Sequence, residues 1–124
     1  MSYSFGANSL KHRHTCHSDL QSILDRAIKK YDFSVIWGHR SKQEQNQACA
    51  DGYSELEWPR SKHNKYPSMA FDVIPYPNGF SSSDAEFYKM ATYILAAASD
   101  LQIPLRWGGH WESIKDMAHF ELRS

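Results

Sequence analysis

Two segments of this chain, SKHNKYPSMAFD (61–72) and KDMAHFEL (115–122), place two histidines and two aspartates where they could do metal chemistry. The first supplies His63 and Asp72. The second supplies His119, with Asp116 three residues before it. Two imidazoles and one carboxylate are a recurring ligand set for a catalytic zinc, which leaves its fourth position to water. Such a site lowers the pKa of water from about 15.7 toward about 7, so that hydroxide is available near neutral pH. A carboxylate near the metal but not bound to it takes the water's proton and passes it to a leaving amine. Asp116 is placed for that task, close to His119 yet separate from the ligands.

The local pattern says how these groups would be held. In AFDVI, strand alternation sends Phe71 and Val73 to one face and Asp72 to the other with Ala70 and Ile74. In MAHFEL, Ala118, Phe120 and Leu122 form the apolar face, and His119 and Glu121 project away from it. Two neighbouring strands thus present Asp72 and His119 side by side, and His63 closes the site from a loop. Glu121 is either a solvated strand residue or a group that orients a ligand.

Residues 19–31 place Leu20, Ile23, Leu24, Ala27 and Ile28 at helical spacing, with Ser18 and Gln21 in the form of a capping box. DFSVIWG alternates Phe33, Val35 and Trp37 as a half-buried strand. Ser41 with Glu44, and Ser83 with Glu86, box the starts of a short polar helix and of the longest helix. Residues 53–69 form an irregular loop, and IPLRWGG is a further short strand. The pattern is α+β, a small antiparallel sheet packed against two main helices, in one domain over residues 1–124. Trp37, Trp107 and Trp111 read as core aromatics rather than groove residues, and Cys49 as a small buried apolar residue.

The densest group of soft ligands lies elsewhere. His12, His14, Cys16 and His17 fall within six residues. No glycine or proline is present there to wrap them around a tetrahedral ion, so they read as an irregular polar lead-in to a helix. Two cysteines make no disulfide framework. Fourteen basic residues balance fourteen acidic ones, which disfavours nucleic acid or an anionic membrane as partner. The longest apolar run is far short of a membrane span. No signal peptide is visible, so the expected product is a monomer made in the cytoplasm.

SKHN…PSMAFDVIPYP together with KDMAHFEL resembles the zinc peptidases of the D-alanyl-D-alanine carboxypeptidase and L-alanyl-D-glutamate endopeptidase group, which share their architecture with Hedgehog signalling domains. The resemblance is greatest to the small cell-wall endopeptidases of phages and prophages. It extends upstream through CHSDLQSILDRAI, YDFSVIWGHRSKQEQ and WPRSKHN, covering nearly the whole chain. It implies that His63, Asp72 and His119 bind zinc and that Asp116 is general base and acid. It further implies that Arg40, in GHRS, binds substrate and steadies the developing oxyanion, and that Ser61 and Gln45 support the ligands or the substrate groove. Its substrate would be the peptidoglycan stem peptide, cut at the L-alanyl–D-glutamate bond, with the enzyme reaching the wall after release. The alternatives are a D-alanyl-D-alanine dipeptidase or carboxypeptidase, and a non-catalytic module stabilised by zinc. Two departures stand out: eight residues separate His63 from Asp72, with Ser68 replacing a glycine, and His110 occupies a position where similar sequences often carry aspartate.

Overall fold

The computed structural model describes residues 3–111 and 115–123. Four helices, α1 (Ala7–Arg13), α2 (Ser18–Ile28), α3 (Lys42–Ala50) and α4 (Asp84–Asp100), accompany four strands. The strands are β1 (Phe33–Trp37), β2 (Ala70–Pro75), β3 (Leu105–Trp107) and β4 (His119–Leu122). They form one antiparallel sheet in the order β1-β2-β4-β3. The expected α+β architecture is present, with α2 and α4 as the two helices that build the core.

One face of the sheet and these two helices bury each other. From α2 come Leu20, Ile23, Leu24, Ala27 and Ile28; from α4 come Phe87, Met90, Ala91, Ile94, Ala97 and Ala98. They meet Phe33, Val35, Phe71, Val73, Phe120 and Leu122, the inward residues of three strands. Phe120 stacks on Phe71 at 5.4 Å and on Trp107 at 6.2 Å between ring centroids. Each large apolar side chain buried this way contributes about 1.5–3 kcal/mol against exposure. The central strands are therefore anchored from one side, and their other face is free to carry polar chemistry.

Both later capping boxes form. Ser41 and Ser83 each accept from the backbone N–H three residues on, while Glu44 and Glu86 return to the cap. At the start of α2 the expectation fails. His17 is the cap, its Nδ1 accepting from Asp19 N at 3.0 Å, and Ser18 is already helical. The Gln21 amide donates instead to the Cys16 carbonyl.

The lead-in is also not irregular, because Ala7–Arg13 form α1. This helix is fastened by Ser9, whose buried hydroxyl accepts from Val35 N at 3.0 Å. His12 lies on it against Trp37, exposed His14 follows it, Cys16 is buried, and His17 caps α2. Burial pushes the Cys16 thiol up to about 12, which leaves it protonated and unreactive. Among the described residues the four are not a metal-holding group. Cys49 is half-buried rather than buried, and both thiols are free.

A bulge redirects one aromatic. Along β1, Val35 pairs with Val73, but Trp37 pairs with Asp72, so two steps on one strand match one on the other. The extra residue turns Trp37 out of the Phe33–Val35 core face and sets it beside Asp72.

Candidate metal centre

Asp72 on β2 and His119 on β4 stand directly opposite one another across the antiparallel pair. Both belong to the sheet face that the helices leave uncovered, as the alternation requires. His63 arrives from a 3-10 turn, Lys62–Asn64, inside the long loop. Ser61 caps that turn, its hydroxyl accepting from His63 N, and Asn64 Oδ1 accepts from Ser61 N at 3.0 Å. All three chemistry-bearing side chains are buried.

Their polar atoms converge. His63 Nε2 lies 3.2 Å from Asp72 Oδ1, His119 Nδ1 lies 3.0 Å from the same oxygen, and the two nitrogens are 3.3 Å apart. One ligand atom from each residue lies within 4.8 Å of the others, a spacing that could hold a metal ion. No other group of three or more such residues occurs among the described residues.

The outward-facing atoms decide which lone pairs point inward. His63 Nδ1 is 2.7 Å from the Gly38 carbonyl oxygen, which only accepts, so this nitrogen carries the proton and Nε2 is bare. His119 Nε2 is 2.8 Å from Glu121 Oε1, which likewise accepts, so Nδ1 is the nitrogen left bare when the ring is neutral. Asp72 Oδ2 accepts from Arg40 Nη2 at 2.8 Å, leaving Oδ1 for the centre. Three lone pairs aimed at one point, each fixed by a partner behind it, are what a divalent cation requires of its protein. Glu121 is thus bonded to the His119 ring and is itself held by Lys62 Nζ at 3.3 Å. Lys62 in turn donates to the Leu122 carbonyl.

The charges follow from this crowding. Burial opposes ionisation of Asp72, but His63 and His119 overcome it and hold its carboxyl well below the usual range. Burial also opposes a charged His119, yet the hydrogen bonds its ring donates to the Asp72 and Glu121 carboxylates outweigh it and push its pKa to about 9. Glu121 is held down by His119 despite its own partial burial. Asp116 moves the other way: burial and the Asp72 charge push it up. A half-buried carboxylate with raised affinity for protons is suited to taking one from water.

Asp116 is pinned where it faces the cleft. Its Oδ1 accepts from Ala118 N at 3.3 Å, and its own N–H donates to the Gly108 carbonyl at 3.1 Å. A Cβ at position 108 would sit 2.3 Å from the Asp116 carbonyl oxygen, so only glycine admits this approach. Gly38 is a second close contact, its missing Cβ lying 2.4 Å from the His12 carbonyl and 2.3 Å from the Thr15 hydroxyl.

Arg40 is buried rather than displayed. Beside its bond to Asp72, Nη1 lies 3.5 Å from Gln45 Oε1 and the guanidinium sits 4.9 Å over the Trp37 ring. Gln45, fully buried, donates to Ser54 Oγ at 2.9 Å and to the Leu56 carbonyl at 2.6 Å, and accepts from Asn64. It therefore joins α3, the loop and Arg40 in one network. The structure brings together all eight residues singled out from the sequence, with Ser61 and Gln45 behind the ligands and Asp116 facing them.

Trp37, Trp107 and Trp111 were expected in the core, as strand aromatics usually are, and that holds for Trp107, whose Nε1 donates to the Met117 carbonyl at 2.9 Å. It fails for Trp37 and Trp111. Trp37 lines the cleft beside Arg40, and Trp111 lies 5.3 Å from the His119 ring. His110 is exposed, edge-on to Trp107, and away from the ligands.

Comparison with known proteins agrees with this arrangement. The chain matches the family model "Phage L-alanyl-D-glutamate peptidase" over residues 1–122. It is 35% identical to the L-alanyl-D-glutamate peptidase of Escherichia phage T5, across 99% of this chain and 91% of that protein. Its fold is similar to the crystal structure of the L-Ala D-Glu endopeptidase ChiX of Serratia marcescens. There the TM-score is 0.81 at 31% identity, covering 96% of this chain and 89% of the other. With its fold and nearly its whole length matched in this way, the chain belongs to the phage L-alanyl-D-glutamate peptidase family.

Proposed function

We propose that this chain is a zinc endopeptidase acting as a monomeric, single catalytic domain, which hydrolyses the L-alanyl–D-glutamate bond of the peptidoglycan stem peptide. The observation that carries the reading is the convergence of three ligand atoms within 4.8 Å, each residue backed by its own partner. His63, Asp72 and His119 hold the ion. When bound, zinc supplies a Lewis acid for the scissile carbonyl and makes water acidic enough to attack near neutral pH.

The chain's own residues do the rest. Asp116 accepts the proton of the attacking water at its carboxylate and delivers it to the departing amide nitrogen. Arg40 fixes Asp72 through Nη2 and sets a permanent positive charge at the wall of the cleft, where it steadies the developing oxyanion. Glu121 orients His119, Ser61 orients the turn that carries His63, and Gln45 holds Arg40 and the loop.

Without metal, His119 retains a proton at neutral pH because its pKa is pushed to about 9. The ion must displace that proton, so zinc affinity climbs about tenfold per pH unit from 7 toward 9 and then levels off. Zinc titrations across that range measure it, and an affinity independent of pH would contradict the assigned ligand. The bond itself is tested by mass spectrometry of digested wall. New free amino ends on D-glutamate are expected, whereas release of D-alanine would place the enzyme in the carboxypeptidase group.

A further inference from the structure

Two lobes open from the metal centre and share Arg40, Tyr53, Asp72 and Asp116, so the reacting atoms lie at their junction. The larger, about 770 Å³, has apolar walls from Trp37, Tyr53, Phe80 and Ala118. Its remaining charges are Glu44, Asp51 and Lys115, an excess of negative charge. The smaller, about 540 Å³, is bounded by Arg60, Lys62, Glu55 and Trp111 beside the ligands.

Pairing removes most of the charges from consideration. Arg40 is committed to Asp72 at 2.8 Å and Lys62 to Glu121 at 3.3 Å. In the smaller lobe this leaves Arg60 and Glu55. Among the described residues Arg60 makes no ion pair, and its side chain is exposed to the cleft. An anion therefore meets an excess of negative charge in the larger lobe, and in the smaller one a balance of Arg60 and Glu55 in which the Arg60 guanidinium is unpaired.

The substrate has a matching asymmetry. On the carbonyl side of the scissile bond stands alanine, with a methyl side chain. On the amine side stands D-glutamate, which owns two carboxyls. Whichever of them continues the stem, the other remains a free carboxylate close to the scissile nitrogen. A guanidinium binds a carboxylate with two parallel hydrogen bonds, and cleft walls of low dielectric strengthen the attraction.

Resting on the L-alanyl–D-glutamate reading above, we propose that Arg60 binds the free carboxylate of the D-glutamyl residue. The stem peptide then runs from the apolar lobe, which takes the alanyl half, into the Arg60 lobe, which takes the leaving amine half. Arg60 is in this way a specificity residue, selecting D-glutamate over its amide.

The test uses two synthetic peptides containing L-alanyl-D-glutamate, identical except that the free carboxyl of one is amidated. The wild-type zinc enzyme cleaves the acid about tenfold to a hundredfold more efficiently in kcat/KM than the amide, the range expected of a charge-assisted pair. Arg60→Gln lowers cleavage of the acid to the level of the amide and leaves the amide unchanged, Arg60→Lys retains part of the preference, and Lys115→Gln retains it all. The proposal is overturned if the wild type shows no preference, if the preference survives Arg60→Gln, or if Lys115→Gln abolishes it. In those cases the bond assignment stands, because both peptides are still cut between alanine and glutamate. If neither peptide is cut and D-alanine is released from wall, the bond assignment is wrong and the Arg60 assignment goes with it.

Discussion

Asp116→Asn keeps its zinc and loses about a hundredfold to ten-thousandfold of its rate on bacterial wall, the range over which a positioned general base contributes. Asparagine preserves the size of the side chain and the acceptor that meets Ala118 N at 3.3 Å, so the turn before β4 stays in place. What it lacks is the ability to take a proton. In the native protein that ability is enhanced, because burial and the neighbouring Asp72 charge raise the carboxyl's affinity for protons. Metal content by plasma emission and clearing of a wall suspension separate the two properties. A variant that clears walls at the native rate would remove Asp116 from the chemistry.

Asp72→Ala has the largest expected effect on the molecule as a whole. It deletes the one carboxylate ligand and abolishes activity. It also weakens zinc binding by more than the about tenfold to hundredfold typical of changes behind the ligands. It further strands Arg40, whose side chain is 6% exposed and whose Nη2 has Asp72 as its carboxylate partner. Breaking a buried pair from one side costs about 3–5 kcal/mol, since the surviving charge has little water to take the place of its lost partner. The loss is therefore present even without metal. Urea unfolding in the presence of chelator measures it, and a midpoint equal to that of the native protein would show that the pair carries no such load.

Much of this was legible before any coordinates because the deciding interactions are short in sequence. The boxes at Ser41 and Ser83 close within three residues, so their residue types alone announce them. Alternation in AFDVI and MAHFEL is equally local, and it set Asp72 and His119 on the polar face. What escaped was decided by distant partners. The helix α1 has no apolar stripe, and Leu10 is exposed; its anchor is the Ser9 hydroxyl on Val35, twenty-six residues away. Trp37 follows a perfect alternation that a bulge then cancels. The partners of Glu121, Lys62 and His119, meet its carboxylate only in the folded chain. The bond from Arg40 to Asp72, thirty-two residues on, likewise has no signature in GHRS.

Gly38 gives the remote N-terminal segment a hold on the reaction. Its carbonyl steadies the imidazole of His63, while the His12 carbonyl and the Thr15 hydroxyl press on the space where a side chain would begin. The Thr15 hydroxyl also accepts from His39 N at 2.8 Å, locking the next peptide. The stretch richest in histidine thus serves catalysis as a mould rather than as a donor. It sets the angle at which the His63 lone pair reaches the candidate metal centre.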